Sequence, residues 1–222
     1  MRRDLICLEN KGLLQRVYGG AVIDNQRGLE IAFSSRETMN TAEKRAIGVA
    51  AAQLVNDGET VALNSGTTIM EVARNLISKK NMTFITNCFY VATILRQNES
   101  ARIFFVGGEL RDSELSTSGH HGHEFLSRLR ADKAILGVGG INDKDGATDY
   151  HVEESYIAYD MIRISHKIII VADYSKFGIC SMNLICDSSK IDYLVTDWNV
   201  SDKELFKYKQ LGIDISKANN FS

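Results

Sequence analysis

Proline is absent from this chain, so its helices must stop at glycine, asparagine or aspartate. Cysteine is scarce. Cys7, Cys88, Cys180 and Cys186 contain no C-x-x-C pair, and their spacing suits neither a disulfide framework nor a zinc ribbon, which leaves ordinary reduced thiols. No apolar run approaches the ~18 residues of a membrane span, and the longest, such as 168–172, are strand-sized. The start, Met1-Arg2-Arg3-Asp4-Leu5, leads into a charged, helix-like segment instead of the apolar core of a signal peptide, so the expected compartment is the cytoplasm. A surplus of one charge is also missing: the formal charge is −2 and the pI near 6.2, which excludes coating of nucleic acid by bulk charge but leaves room for one local basic patch. There is no G-x-x-x-x-G-K-[ST] loop, no G-x-G-x-x-G turn, no G-x-S-x-G elbow, no internal repeat and no low-complexity segment.

What is present is enough for one large α/β domain, or an ordinary domain with a small appendage: 222 residues, 44% of them hydrophobic. Residues 4–14 carry Leu5, Leu8 and Leu13 near helical spacing and stop at Lys11-Gly12; residues 13–18 and 21–23 then read as two short strands around Gly19-Gly20. Helix followed by ribbon is the back half of a winged helix. Arg2, Arg3, Lys11 and Arg16 against Asp4 and Glu9 make this corner basic, as phosphate-backbone contact requires, although a solvated helix and hairpin would account for the same charges. Residues 24–38 are polar and read as a linker. From Met39 an amphipathic helix runs to a stop at Asn56-Asp57-Gly58, and 39–222 reads as the main domain. Within it, strands at 60–63, 82–86, 103–106, 133–138, 167–172, 191–196 and 213–215 alternate with helices beginning at 67 and 89 and lying near 124–129, 154–165 and 202–210. Such alternation predicts an α/β fold, a largely parallel open sheet with helices on both faces.

The stretch with most chemistry is Val61-Ala62-Leu63-Asn64-Ser65-Gly66-Thr67-Thr68, a buried strand, a tight turn and a helix start. Backbone N–H groups and the positive end of the helix dipole converge there, Gly66 lets a ligand approach, and Ser65, Thr67 and Thr68 add hydroxyls; the turn suits a phosphate. A plain helix cap by Ser65 or Thr67 would explain the same residues. Ligands of open α/β sheets gather outside the carboxyl ends of the strands. The other ends here are Thr86-Asn87, Gly107-Gly108-Glu109-Leu110-Arg111, Gly137-Val138-Gly139-Gly140 and Asp173-Tyr174-Ser175-Lys176-Phe177-Gly178, a set that suits a polar, anionic small molecule.

The run Arg2-Arg3-Asp4-Leu5…Leu8-Glu9…Gly12-Leu13-Leu14…Arg16-Val17-Tyr18-Gly19-Gly20-Ala21 resembles the recognition helix and wing of DeoR-type bacterial transcriptional regulators. Residues 1–23 then correspond to the C-terminal part of a winged helix-turn-helix domain, a partial remnant, with Arg2, Arg3 and Arg16 as DNA contacts. Because the bracing first helix is missing from these residues, operator binding is expected to be weak. From about Glu43 to Asp197 the chain resembles that family's sensor domain, through Glu43-Lys44-Arg45-Ala46-Ile47-Gly48, Ser65-Gly66-Thr67-Thr68, Thr86-Asn87, the Gly107 to Arg111 run, Asp132-Lys133-Ala134-Ile135-Leu136-Gly137 and the Asp173 to Gly178 run. That sensor domain is similar to ribose-5-phosphate isomerase. The resemblance implies that Lys44, Ser65, Gly66, Thr67 and Thr68 hold phosphate and that Lys176 faces sugar or phosphate oxygens. Asn64, Asn87, Gly107, Gly108, Arg111, Gly139, Gly140 and Asp173 complete the expected pocket.

Two departures stand out. Asn64 occupies the place of the family's usual Asp, where it can hydrogen-bond a hydroxyl, and Gly119-His120-His121-Gly122-His123 replaces a glycine-proline stretch. Three histidines without an Asp, Glu or Cys at ligand spacing do not complete a metal site, so no metal or cofactor is expected. The loop Gly137-Val138-Gly139-Gly140 lacks the acidic residues that the related isomerases carry, and Asp143, Asp145, Glu153 and Glu154 do not match their pattern, which favours sensing over turnover. The resemblance thus implies a repressor of carbohydrate metabolism with two partners, operator DNA and a phosphorylated sugar or sugar-alcohol effector, working as a homo-oligomer; a sugar-phosphate isomerase, or a ligand-binding piece that does not grip DNA, is the alternative.

Overall fold

The computed structural model describes residues 30–220, together with the backbone of residues 15–17 and 20–22. Those two short pieces are β1 (Gln15–Val17) and β2 (Gly20–Val22), paired antiparallel with Val17 opposite Gly20. The expected recognition helix at 4–14, with Arg2 and Arg3, lies outside the described residues, as does the side chain of Arg16.

Seven parallel strands form the main sheet: β3 (Thr60–Leu63), β4 (Thr83–Thr86), β5 (Arg102–Phe105), β8 (Ala131–Gly137), β11 (Ser165–Val171), β13 (Tyr193–Thr196) and β14 (Asp214–Lys217). Their spatial order is β14-β13-β11-β8-β3-β4-β5. Strand residues alternate between two apolar layers, as a period of two requires of a sheet covered on both faces. Leu63, Phe84, Ile135, Ile169 and Val195 enter the layer beneath α2 (Thr41–Gln53), α3 (Thr67–Leu76) and α4 (Phe89–Leu95). Ala62, Ile85, Leu136, Ile170 and Leu194 enter the other layer, beneath α5 (His120–Ser127), α6 (Val152–Arg163) and α7 (Asp202–Gln210).

Three features depart from the expectations drawn from sequence. The stretch 24–38, read as a polar linker, ends in α1 (Phe33–Thr38), held to the main domain where Phe33 stacks on Tyr90 at 5.0 Å. A hairpin of β6 (Glu109–Arg111) and β7 (Ser116–Ser118) and a three-stranded antiparallel sheet of β9 (Gly140–Asn142), β10 (Gly146–Asp149) and β12 (Asn183–Cys186) stand beside the main sheet. Finally, the histidine stretch opens α5, which begins at His120 and not near 124; His123 Nδ1 lies 2.5 Å from Asp160 Oδ2 on α6.

Among the described residues no helix is long and apolar enough to cross a membrane, and no group of three His, Cys, Asp or Glu could hold a metal ion.

Candidate functional site

Strand order reverses between β3 and β8, and a crevice must open outside the carboxyl ends at such a switch point. A pocket enclosing about 790 Å³, its open mouth included, lies there, walled by the turns after β3, β8 and β11 and by the segment around α1. Its floor is fixed by Asn64. The buried Asn64 amide donates to the Gly137 carbonyl at 3.0 Å and accepts from the Gly137 N–H at 2.9 Å, joining the two switch-point strands as a further rung of the ladder would. Asn64 is therefore committed to backbone and does not line the pocket; the expected contact to a ligand hydroxyl is replaced by this staple.

Above the floor stands the N-terminus of α3. Gly66, its N-cap, has φ +127° and ψ 155°, a region open essentially to glycine alone. No side chain caps the helix, and among the described residues the N–H groups of Thr67, Thr68 and Ile69 have no acceptor. The plain cap by Ser65 or Thr67 is not made, since neither oxygen accepts from the first turn, and the Ser65 hydroxyl donates to Glu154 at 3.3 Å. The uncapped turn faces the pocket, with Ser65, Gly66, Thr67 and Thr68 all in its wall. Lys176 joins them from the short helix Tyr174–Lys176, whose start is fixed by buried Asp173 accepting the Ser175 N–H at 2.9 Å. Among the described residues the Lys176 ammonium has no hydrogen-bond or ion-pair partner; burial lowers its pKa, and the charge of Asp173 opposes that shift. Lys44 on α2 is buried. It donates to the carbonyls of Arg36 and of Met39, the latter at 2.7 Å, and burial lowers its pKa to about 8 against the pull of Asp173. Gly139 completes this side, where a Cβ would meet the Tyr150 ring at 2.9 Å.

Uncapped helix N–H groups, buried Lys44 and half-buried Lys176 meet at one switch point, an arrangement whose chemistry suits an anion. Residues 39–198 match the DeoR C terminal sensor domain and residues 1–27 the DeoR-like helix-turn-helix domain. The chain belongs to the DeoR family. Transcriptional repressor AccR of Agrobacterium fabrum is 36% identical over 198 residues, which cover 88% of this chain and 76% of that protein. The lactose phosphotransferase system repressor of Staphylococcus epidermidis is 32% identical over 209 residues, 92% of this chain and 82% of the other. Among solved structures, ribose 5 phosphate isomerase A from Neisseria gonorrhoeae superposes with a TM-score of 0.44 at 17% identity, over 62% of this chain and 53% of that one.

In this DeoR-family chain the pocket collects nine of the expected residues: Lys44, the four of the 65–68 turn, Arg111, Gly139, Asp173 and Lys176. Asn87, Gly107, Gly108 and Gly140 fall outside its wall, for reasons their neighbours supply. Asn87 is fully buried behind it, donating to the Thr117 carbonyl and to Glu154. A Cβ on Gly108 would lie 2.1 Å from the Ser118 carbonyl oxygen, and one on Gly140 2.6 Å from that of Ile179, so both glycines serve close backbone packing. Gly107 is exposed, beyond the reach of the cavity.

Sequence reasoning missed the pocket's acids and one arginine. Glu154, near the start of α6, accepts from Ser65, Asn87 and Ser116. Glu114, on the β6–β7 turn and 2% exposed, pairs with Arg36, and burial raises its pKa to about 7. Asp149 at the end of β10 accepts the Tyr150 N–H at 2.6 Å; burial raises its pKa too. Glu30 lies between Arg36 and Arg111. The 137–140 loop carries no carboxylate, as expected, and besides Asp173 the pocket's acids come from outside the strand-end loops.

Proposed function

We propose that a phosphorylated sugar or sugar alcohol binds this pocket with its phosphate on the N-terminus of α3, beside Lys176 and Lys44, and thereby sets the DNA affinity of the N-terminal region. The observation that carries this reading is the uncapped α3 turn sharing one pocket wall with Lys176, half-buried and, among the described residues, unpartnered. A phosphate dianion offers acceptors to the N–H groups and offsets the cost of burying both ammonium groups. The acids and Arg111 then face the sugar hydroxyls. Regulation follows only if the ligand binds the DNA-competent and DNA-incompetent arrangements unequally. Operators read by helix-turn-helix domains place two half-sites about one helical turn apart, which calls for a homo-oligomer.

Turnover is not part of this reading. A proton shuttle needs a carboxylate free to exchange its proton. Here Glu154 already accepts three hydrogen bonds, Asp149 accepts from two backbone N–H groups, and the 137–140 loop, where the related isomerases carry their acids, has none.

Thermal denaturation of the chain against hexose and pentose phosphates tests the pocket. A binder at about a hundred times its dissociation constant adds about 2.7 kcal/mol. Lys176→Ala should remove the response while leaving the unliganded protein folded. If no phosphate ester stabilises the parent, the proposal fails.

A further inference from the structure

The two arginines of the pocket are both held by one carboxylate. Arg111 donates to Glu30 Oε2, and Arg36 Nη2 lies 3.0 Å from Glu30 Oε1, so each oxygen faces its own guanidinium. That is how an arginine pair receives a ligand carboxylate or phosphate. The carboxylate belongs to no strand of the sheet. Glu30 sits in the segment leading into α1, three residues beyond residue 27, where the match to the helix-turn-helix domain ends. Residues 30–38 touch the sensor domain through the Phe33 stack, the Arg36–Glu114 pair, the Lys44 bond to the Arg36 carbonyl and the Glu30–Arg111 pair. Phe33 stacks on Tyr90 within 5° of parallel, a contact indifferent to charge. Of the ionic contacts Glu30 makes inside the pocket that the anion would enter, the one to Arg111 ties the segment to the sensor domain, and the one to Arg36 lies within the segment itself.

We propose that Glu30 is a tethered anion filling an Arg36–Arg111 subsite of the effector pocket, and that the phosphate of an ester seated on the α3 turn repels it, draws on the same two guanidinium groups and so dislodges it. Filling the pocket thereby loosens the segment that leads to the DNA-binding residues. The proposal rests on the phosphate reading above and supplies what that reading leaves open, the contact through which occupancy reaches the N-terminal side. A phosphate carries a charge of about −1.5 to −2, so within one cavity it repels the Glu30 carboxylate while attracting both guanidinium groups. The arrangement with Glu30 displaced binds the anion better than the arrangement with Glu30 seated, which is the unequal affinity that coupling requires. Arg36 keeps Glu114 as its buried partner in either arrangement, so α1 has a position to return to when the ligand leaves.

The test titrates the full chain with inorganic phosphate, in the parent and in Glu30→Gln and Arg111→Gln, with amide hydrogen exchange of residues 30–38 as a second readout. Without its internal competitor, Glu30→Gln should bind phosphate about fivefold tighter or more. Its residues 30–38 should exchange, without phosphate, as fast as those of the phosphate-saturated parent, while β3 and β8 stay protected. Arg111→Gln, which breaks the same pair from the sheet side, should show the fast exchange without the gain in affinity. Unchanged affinity and unchanged exchange in Glu30→Gln overturn the proposal. Lys176→Ala separates the two readings. If it abolishes phosphate binding while Glu30→Gln changes nothing, the pocket stands and the tethered anion falls. If the parent binds no phosphate at all, both fall.

Discussion

Asn64 needs both halves of its amide, one to give to the Gly137 carbonyl and one to receive its N–H. Asn64→Asp keeps only the acceptor and should cost about 1 kcal/mol, whereas Asn64→Leu strands both Gly137 groups and should cost about 2–3 kcal/mol; urea denaturation ranks the two. Titration of single groups is equally specific. Glu114 has a folded pKa of about 7, above the ordinary 4.5 of a free Glu, so the stability it contributes is fully present below about 4.5 and is lost as pH rises to about 7. Glu114→Gln should flatten stability against pH across that window in stepped-pH denaturation. Lys44 runs the other way: its folded pKa of about 8 lies below 10.5, so stability is gained as pH rises between those values. Phosphate affinity, which needs the charged ammonium, should fall as pH passes 8, and Lys44→Met should remove that dependence. At this scale Lys176 and the 65–68 turn were legible because they follow strand ends, whereas Lys44, on α2, came only through the family resemblance. Glu30, Arg36 and Glu114 were not, since isolated polar residues in short irregular stretches carry no periodic signal.

Helix α3 shows how an element gains a site by lacking a cap. Gly66→Ala meets no neighbour within 4 Å, yet its backbone at φ +127° should cost about 1–3 kcal/mol and disturb the anion turn. Gly107→Ala, flagged by the same sequence pattern, has no neighbour within 4 Å and no positive φ, and should be nearly silent in both thermal denaturation and phosphate titration. The strands and long helices were legible in sequence because apolar runs and a 3.6-residue period mark them, and β3, α3 and α7 begin where expected. The elements that were not, β6, β7, β9, β10 and β12, have three or four residues each, several of them Gly, Ser or Thr, too short to show alternation. They deliver Arg111 and Asp149, and with them much of the pocket's charge.

For the whole molecule, a bound phosphate ester at about a hundred times its dissociation constant should raise the melting temperature by about 5–10 °C, given about 2–4 °C per kcal/mol for chains of 150–250 residues. The doubly covered parallel sheet was legible from the alternation of elements, but its strand order was not, because nothing local tells β8 to dock on β3 instead of β5. That order has a consequence in time. The Asn64–Gly137 pair joins residues 73 positions apart, whereas β3, α3 and β4 follow one another directly. Long loops close late in folding, since their entropy must be lost before the contact rewards it. During synthesis the turn that presents its N–H groups to an anion therefore emerges well before the strand that walls it in. On the proposed reading, effector binding waits until β8 has been made and docked, and a nascent chain ending before residue 137 should not respond to it.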